Sequence, residues 1–162
     1  MCGFTALTSA TTDRPQHSSR SGAKSHKDSV LITFHVQTHR REELVDITAH
    51  IRRLAGEQGW RHGALLVYCP HTTGAITVNE GADPDVARDI TANMNKLVPR
   101  HGDYRHAEGN SDAHIKSGMF GCGQMLIVED GDIMLGTWQK VYFCEFDGPR
   151  QRTVWMQFMA GS

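Results

Sequence analysis

Apolar residues follow a strand period near the start of the chain and a helix period soon after it. Val30, Ile32, Phe34 and Val36 are apolar and alternate with Leu31, Thr33, His35 and Gln37. This two-residue period predicts a strand with one better-buried face. In Leu44–Leu54 the apolar residues recur three and four positions apart, and Gly56 follows. This spacing predicts an amphipathic helix with Glu42 and Glu43 in its first turn.

Short apolar runs bounded by proline, glycine or polar residues predict the other strands. In order, these runs are Ala64–Cys69, Ala75–Val78, Gln124–Val128, Ile133–Leu135, Val141–Phe146 and Thr153–Phe158. The Asp130-Gly131 pair favours a tight turn and therefore a hairpin. A second helix is predicted after Asp83, which can cap it, with Pro84 in the first helical position and one apolar face over Val86–Leu97.

Two segments lack such periodicity. Residues 99–123 are polar and rich in glycine, which predicts a long functional loop. Residues 1–29 are rich in Ser, Thr, Lys and Arg and predict a flexible N-terminal extension. The remaining pattern, two principal helices among about seven strands, predicts a single α+β domain over residues 30–162 with a mainly antiparallel, β-sandwich-like sheet.

Composition excludes several classes of protein. A formal net charge of -1 over 162 residues gives no global field for nucleic acid or for an anionic membrane. No stretch approaches the roughly 20 apolar residues of a membrane span, and the N-terminus lacks the apolar core of a secretory signal. The cysteines are scattered, which favours reduced structural thiols. We therefore expect a cytoplasmic protein whose ligands are held by local clusters.

The ten histidines are the first candidates for catalytic or metal-binding residues, because imidazole is both a general base and a metal ligand near neutral pH. His71 and Thr72 follow a predicted buried strand, where they can contact a ligand or satisfy backbone groups in a turn. Asn79 and Glu80 offer oxygens that suit Mg²⁺ or a polar substrate. Asp83 is better explained as a helix cap.

The segment 106–116 combines the most varied chemistry. His106, His114 and Glu108 can bind a transition metal, Asn110 adds an amide, and Lys116 can neutralise a phosphate. A solvated loop is the alternative, since the spacing matches no standard zinc motif.

Two further residues come after strands near the C-terminus. Arg150 can clamp a phosphate, or it can pair with Glu145 or Asp147 to hold the turn. Trp138 is better explained by a structural role in a core or an interface.

Four stretches of the chain, taken in order, form a specific set. They are His71-Thr72-Thr73 with Asn79-Glu80, Tyr104–Lys116 (YRHAEGNSDAHIK), Leu135–Gln139 (LGTWQ) and Glu145–Arg150 (EFDGPR). Together they resemble the YjbQ family, also called the secondary thiamine-phosphate synthases. The likeness extends from about Val30 to Phe158.

The resemblance implies a small α+β protein that forms a homotrimer and carries a divalent metal, zinc or magnesium, near clustered histidines. The positions implied for the metal are His71, His106 and His114. Those implied for catalysis are His71, Glu108 and Lys116. Those implied for substrate binding are Thr72, Asn79, Glu80, Asn110, Gln139 and Arg150.

The family label implies a reaction in which a pyrimidine pyrophosphate joins a thiazole phosphate with loss of pyrophosphate, as a main or a side activity. Lys116 and Arg150 would stabilise the leaving group, and a histidine would move protons. Two alternatives stay open: a non-catalytic trimer that binds a phosphorylated metabolite, and a metal-dependent phosphoester or amide hydrolase with Glu108 as the base. We expect the site to lie at or near a subunit boundary, because association would cover sheet edges in so small a chain.

Overall fold

A computed structural model describes residues 31–161, so the predicted N-terminal extension, Val30 and Ser162 lie outside the described residues. Within this range no helix combines the length and apolarity needed to cross a membrane. The elements are β1 (Leu31–Gln37), β2 (Glu43–Asp46), α1 (Thr48–Gln58), β3 (Gly63–Tyr68), β4 (Gly74–Glu80), α2 (Pro84–Leu97), α3 (Ser111–Phe120), β5 (Gly123–Glu129), β6 (Asp132–Ile133), β7 (Gln139–Glu145) and β8 (Gln151–Ala160).

The strands form two sheets, and every pairing is antiparallel. The larger sheet has the order β1-β8-β3-β5-β6, and the smaller has the order β2-β7-β4. Strands β7 and β8 are consecutive in sequence but belong to different sheets, so the turn between them carries the chain across the domain. The predicted α+β, β-sandwich-like fold is confirmed.

The main core lies between the two sheets. Inward-facing residues such as Leu65 and Val154 of the larger sheet meet Ile76 and Phe143 of the smaller one, and Ile51 of α1 joins them. These side chains are all fully buried. The alternation of buried and exposed positions along β1 and β8 is the two-residue period that the sequence displays.

The first helix begins later than its periodicity predicts, and this prediction was wrong at both ends. Glu43–Asp46 forms β2, paired with β7, because pairing to a neighbouring strand outweighs the local helical spacing. The helix starts at Thr48, whose backbone N–H donates to Asp46 Oδ1 at 2.9 Å. Gly56 lies inside the helix, which ends instead at Gly59 with a left-handed φ of 65°.

The segment 99–123, predicted as a long loop, contains α3 and the first residue of β5, so its irregular parts are only residues 99–110 and 121–122. Hydrophobic periodicity does not predict α3, because its buried face includes the charged residues Asp112 and Lys116. Apolar packing of α3 is limited to contacts such as Ala113 and Phe120 against the smaller sheet.

The second helix and the hairpin match their predictions. Asp83 caps α2 by accepting a hydrogen bond from the backbone N–H of Asp85 at 2.9 Å, and Pro84 is the first helical residue. Between β5 and β6, Asp130 and Gly131 both adopt positive φ angles, 50° and 89°, as a tight hairpin turn requires.

Candidate functional site

A buried ion pair joins the two sheets at one end of the sandwich. Arg152 of β8 donates from Nε to Glu145 Oε2 of β7 at 2.7 Å, and its Nη2 contacts the other carboxylate oxygen. The backbone N–H groups of Phe146 and Asp147 also donate to Glu145 Oε1. Because the carboxylate is fully bonded, its burial is compensated and this end of the sandwich is held rigidly.

His71 lies beside this ion pair in the connection from β3 to β4. Its Nε2 accepts a hydrogen bond from the backbone N–H of Thr153 at 2.9 Å, so the neutral ring carries its proton on Nδ1. Burial, and after it the charge of Arg152, lower the pKa of His71, and Arg150 acts in the same direction. The charge of Glu145 acts in the opposite direction but less strongly than that of Arg152, so His71 is a neutral imidazole whose surroundings are positive on balance.

Helix α3 brings His114 to the same end of the domain. The hydroxyl of Ser117 donates to the carbonyl of Gly74 at 2.7 Å, which fixes the helix against the start of β4. At Gly74 itself a Cβ would lie only 2.8 Å from the ring of Phe143, so the core leaves room for glycine alone at this position. The half-buried His114 then faces two neighbouring clefts.

We call the first of these the aromatic cleft; it has a volume of about 690 Å³. Its principal lining residues are Tyr68, His71, His114, Gly118, Cys122 and Trp155. Thr72 lines it as well, and substrate binding at this residue stays a prediction. The second, the loop cleft, measures about 550 Å³ and includes His106, His114 and Tyr104. His114 is thus shared, with His71 on one side and His106 on the other.

Two of the three predicted metal ligands, His106 and His114, are neighbours. The rings of His106 and His114 meet edge to face with centroids 5.4 Å apart, and Glu108 Oε2 lies 3.6 Å from His106 Nε2. Over residues 31–161, however, the ligand atoms of three such groups come within 4.8 Å of one another only at His62, Glu129 and Asp130, which are all exposed. The ligand atoms of His71, His106 and His114, the set implied for the metal, therefore do not converge within that distance among the described residues, and metal binding there stays a prediction.

Lys116 has surroundings that differ from those of a phosphate-binding lysine. Its side chain is 0% exposed, and its Nζ donates to Glu42 Oε1, Asn95 Oδ1 and Asp112 Oδ2 at 3.0, 2.7 and 3.1 Å. Arg41 makes a two-pronged bond to the same Asp112 carboxylate. All three ammonium protons therefore have protein acceptors, and Lys116 lines neither of the two clefts.

Asn110 and Arg150 meet at a shared carboxylate. Asn110 Nδ2 and Arg150 Nη2 donate to Asp147 Oδ2 at 3.0 and 3.1 Å. Of the two interpretations of Arg150, the structure displays the pair that holds the turn. Half of its side chain is nevertheless exposed, so the guanidinium remains open to solvent on one side.

The remaining substrate-binding candidates lie at the opposite end of the smaller sheet. Strand pairing places Glu80 opposite Gln139 and Asn79 opposite Lys140, six positions along β4 from Gly74, which is roughly 20 Å away. There Gln139 Oε1 accepts from the backbone N–H of Gly136 at 2.8 Å. Within one described chain these three residues do not meet the histidines.

Sequence reasoning missed the aromatic wall of the aromatic cleft. Tyr68 and Trp155 are opposite one another in the β3–β8 pairing, but they are far apart in the sequence. Cys122 also lines the cleft, although scattered thiols had been assigned no chemistry. Only the pairing of β3 with β8, which the periodicity does not specify, would have brought these residues to the histidines.

The sequence profile described as "UPF0047 protein YjbQ-like" matches residues 32–161. The chain belongs to the YjbQ family. The UPF0047 protein YugU of Bacillus subtilis is 48% identical over 131 residues, which cover 80% of this chain and 99% of YugU. The UPF0047 protein MJ1081 of Methanocaldococcus jannaschii is 46% identical over 130 residues, with coverages of 80% and 94%.

Solved structures extend the match with the YjbQ family to the fold. An uncharacterized conserved YjbQ/UPF0047 protein from Clostridium acetobutylicum aligns with a TM-score of 0.77 at 48% identity, over 79% of this chain and 99% of that one. The hypothetical protein APE1520 from Aeropyrum pernix aligns with a TM-score of 0.78 at 35% identity, over 82% and 99%. The matched region is therefore a nearly complete YjbQ-like domain.

Proposed function

We propose that the protein acts on small phosphorylated metabolites at the clefts around His114, as a thiamine-phosphate synthase-like transferase. One observation carries the proposal: a neutral His71 in the positive field of Arg152 and Arg150 borders the same cleft as His114. A positive field attracts phosphate, and the neutral imidazole can donate a hydrogen bond from Nδ1 to a phosphate oxygen.

In the proposed reaction, the thiazole nitrogen forms a bond to the methylene carbon of the pyrimidine, and the bond from that carbon to pyrophosphate breaks. The charge that develops on pyrophosphate would be stabilised by the field at His71 and by the exposed side of Arg150. His114, with access to both clefts, is the residue best placed to donate a proton to the departing pyrophosphate. Lys116 acts in this proposal only by holding α3.

A divalent ion near His106, His114 and Glu108 would add positive charge for the leaving group. The closeness of His106 to both other residues supports this part of the proposal. Metal analysis of purified protein beside a His106→Ala/His114→Ala variant tests it, and His62→Ala tests the exposed cluster of His62, Glu129 and Asp130 as the competing site. We expect the double variant alone to lose the metal; equal content in all three would exclude the site.

We also propose that the functional unit is a homotrimer. The outer face of the larger sheet carries Met125 and Ile127, which are 64% and 66% exposed, together with Met134 and Met159. Contiguous exposed apolar side chains of this kind mark association surfaces. The patch extends along β8 to Trp155, so an interface here would place the aromatic cleft at its border.

Light scattering tests the assembly. We expect the wild type to be trimeric at micromolar concentration and a Met125→Lys/Ile127→Lys variant to be monomeric. Leu97→Lys on α2, an equally exposed apolar position on another face, should leave the trimer intact. A wild type that is monomeric under these conditions contradicts the proposal.

The reaction itself is tested with purified protein, magnesium, the pyrimidine pyrophosphate and the thiazole phosphate, with thiamine phosphate followed by chromatography. We expect slow product formation by the wild type and by His62→Ala, and a loss of about 10²-fold or more in His114→Ala. No product from the wild type, or equal traces from all three proteins, would reject the synthase.

The assay also separates the two alternatives. Hydrolysis of a generic phosphoester without any thiazole would favour the metal-dependent hydrolase, which the closeness of Glu108 to His106 supports. Stabilisation by a phosphorylated metabolite without any turnover would favour the non-catalytic binder.

A further inference from the structure

The aromatic cleft has a wall that suits a planar ring. In the antiparallel pairing of β3 with β8, Tyr68 stands opposite Trp155. Their rings are nearly parallel, with an interplanar angle of 16° and centroids 5.9 Å apart. Trp155 remains 37% exposed, so part of its indole is available for stacking against a ligand.

Part of the cleft lining carries no side chains. Gly118 of α3 and Gly121, which follows the helix, both line the cleft. A Cβ built on either glycine would meet nothing within 4 Å. With a volume of about 690 Å³, the cleft lies in the range of small-molecule sites and can accept a ring together with a phosphate.

The charges around the cleft favour an anionic substituent at one end. Among the described residues that line it, none carries a carboxylate. At the His71 end, Arg152 and Arg150 contribute positive potential that Glu145 offsets only in part, and the Nδ1–H of His71 can donate a hydrogen bond. A ligand that stacks on Trp155 would therefore direct its negative group towards His71.

We propose that the aromatic cleft binds a planar heteroaromatic ring stacked on Trp155, with a phosphate substituent at His71 and the space beside Gly118 occupied by the ring. The inference rests on the proposed function, since it assigns the substrate ring of that reaction to this cleft. It requires binding alone, however, and can be tested without turnover.

The test is calorimetric titration of the wild type with the thiazole phosphate, and separately with inorganic phosphate and with the unphosphorylated thiazole. We expect the ring phosphate to bind at least tenfold more tightly than either fragment. Gly118→Leu fills the open space and should lower the affinity for the ring phosphate at least tenfold. The affinity for inorganic phosphate should stay within twofold of the wild-type value.

The matched control is Gly56→Leu, a glycine of α1 that also has open space beside it. Leucine is a better helix former than glycine, so both variants should keep or raise the melting temperature of the wild type. A loss of ring binding in Gly118→Leu alone would then report the filled cleft and not unfolding.

Equal affinity of the wild type and Gly118→Leu for the ring phosphate would overturn the inference, as would a wild type that binds the ring phosphate no better than inorganic phosphate. Ring binding in a protein without synthase turnover would support this inference and reject the proposed reaction. Synthase activity that persists unchanged in Gly118→Leu would support the reaction and reject this cleft as its ring site.

Discussion

The loop and the helix within Tyr104–Lys116 carry similar residue types in opposite surroundings. In the loop, His106 and Glu108 are exposed and face each other at 3.6 Å. In α3, Asp112 and Lys116 are fully buried and bonded to each other at 3.1 Å. Charged side chains of the same stretch thus divide into groups that are open to a ligand and groups whose bonds are already made.

The division depends on partners that are distant in sequence. Arg41 and Glu42 precede α3 by about seventy residues, and the side chain of each bonds to it. Their charges balance those of Asp112 and Lys116, which makes burial of the helical pair tolerable. Among the described residues, His106 and Glu108 have no such distant counterparts, so their side chains stay in solvent. A cluster of catalytic residue types is therefore informative only after the acceptors of each member are known.

Loss of the buried Lys116 ammonium should cause the largest decrease in stability. Lys116→Ala leaves the carboxylates of Glu42 and Asp112 buried with one cation fewer, and breaking a buried ion pair in this way costs about 3–5 kcal/mol of unfolding free energy. Urea denaturation measures the cost. Lys96→Ala, at an exposed lysine in the last turn of α2, should change stability by less than about 0.5 kcal/mol. A fully stable but inactive Lys116→Ala would restore Lys116 as a catalytic residue.

Local patterns predicted much of the fold. The period of two found β1, and Asp83 with Pro84 marked the start of α2. Such patterns contain no information on which strands pair. For that reason they could not reveal that β7 and β8 enter different sheets, or that Glu43–Asp46 pairs with β7.

The candidate site was predicted in its components and not in its arrangement. Motif resemblance identified His71 and His114, which do border one cleft. It also included Lys116, whose burial depends on Arg41 and Glu42, and it omitted Trp155, which reaches the cleft only through the β3–β8 pairing. Burial and long-range pairing are properties of the folded chain, and residue types alone do not encode them.

Acid should weaken the helical group through protonation of Asp112. Burial alone would raise the pKa of Asp112, but the hydrogen bonds and charges of Arg41 and Lys116 outweigh it and lower that pKa below its usual value of 3.8. The stabilisation is therefore present above about pH 4 and is lost as the pH falls through the folded-state pKa. Urea midpoints measured between pH 2 and pH 6 should fall at acid pH for the wild type, and fall less for Asp112→Asn. Parallel curves would contradict the assignment.

His71 is more buried than the loop residues His106 and Glu108 and less buried than Asp112. Its protonation should therefore change the stability less than that of Asp112. Burial and the charge of Arg152 lower its pKa, so the folded protein disfavours the protonated ring more than the unfolded chain does. The corresponding stability is complete above the unfolded-state pKa of about 6.5 and declines as the pH falls towards the folded-state value. NMR titration of the imidazole should give a midpoint below the ordinary histidine value of about 6.5. A midpoint equal to or above it would refute the prediction.

The smallest effect on stability should come from the loop itself. His106→Ala and Glu108→Ala each remove an exposed side chain from residues that lie before α3 begins. The contact between His106 and Glu108 is solvent-exposed, and such pairs contribute about 0 to 1 kcal/mol to the free energy of unfolding. We therefore expect each variant to unfold within about 0.5 kcal/mol of the wild type, with the neighbouring exposed His101→Ala as the control for a change in this loop. Because folding is preserved, any loss of metal content or turnover in His106→Ala can be attributed to the loop cleft. A destabilisation comparable to that of Lys116→Ala would show instead that the loop is part of the buried network, and the distinction between the two halves of the segment would have to be abandoned.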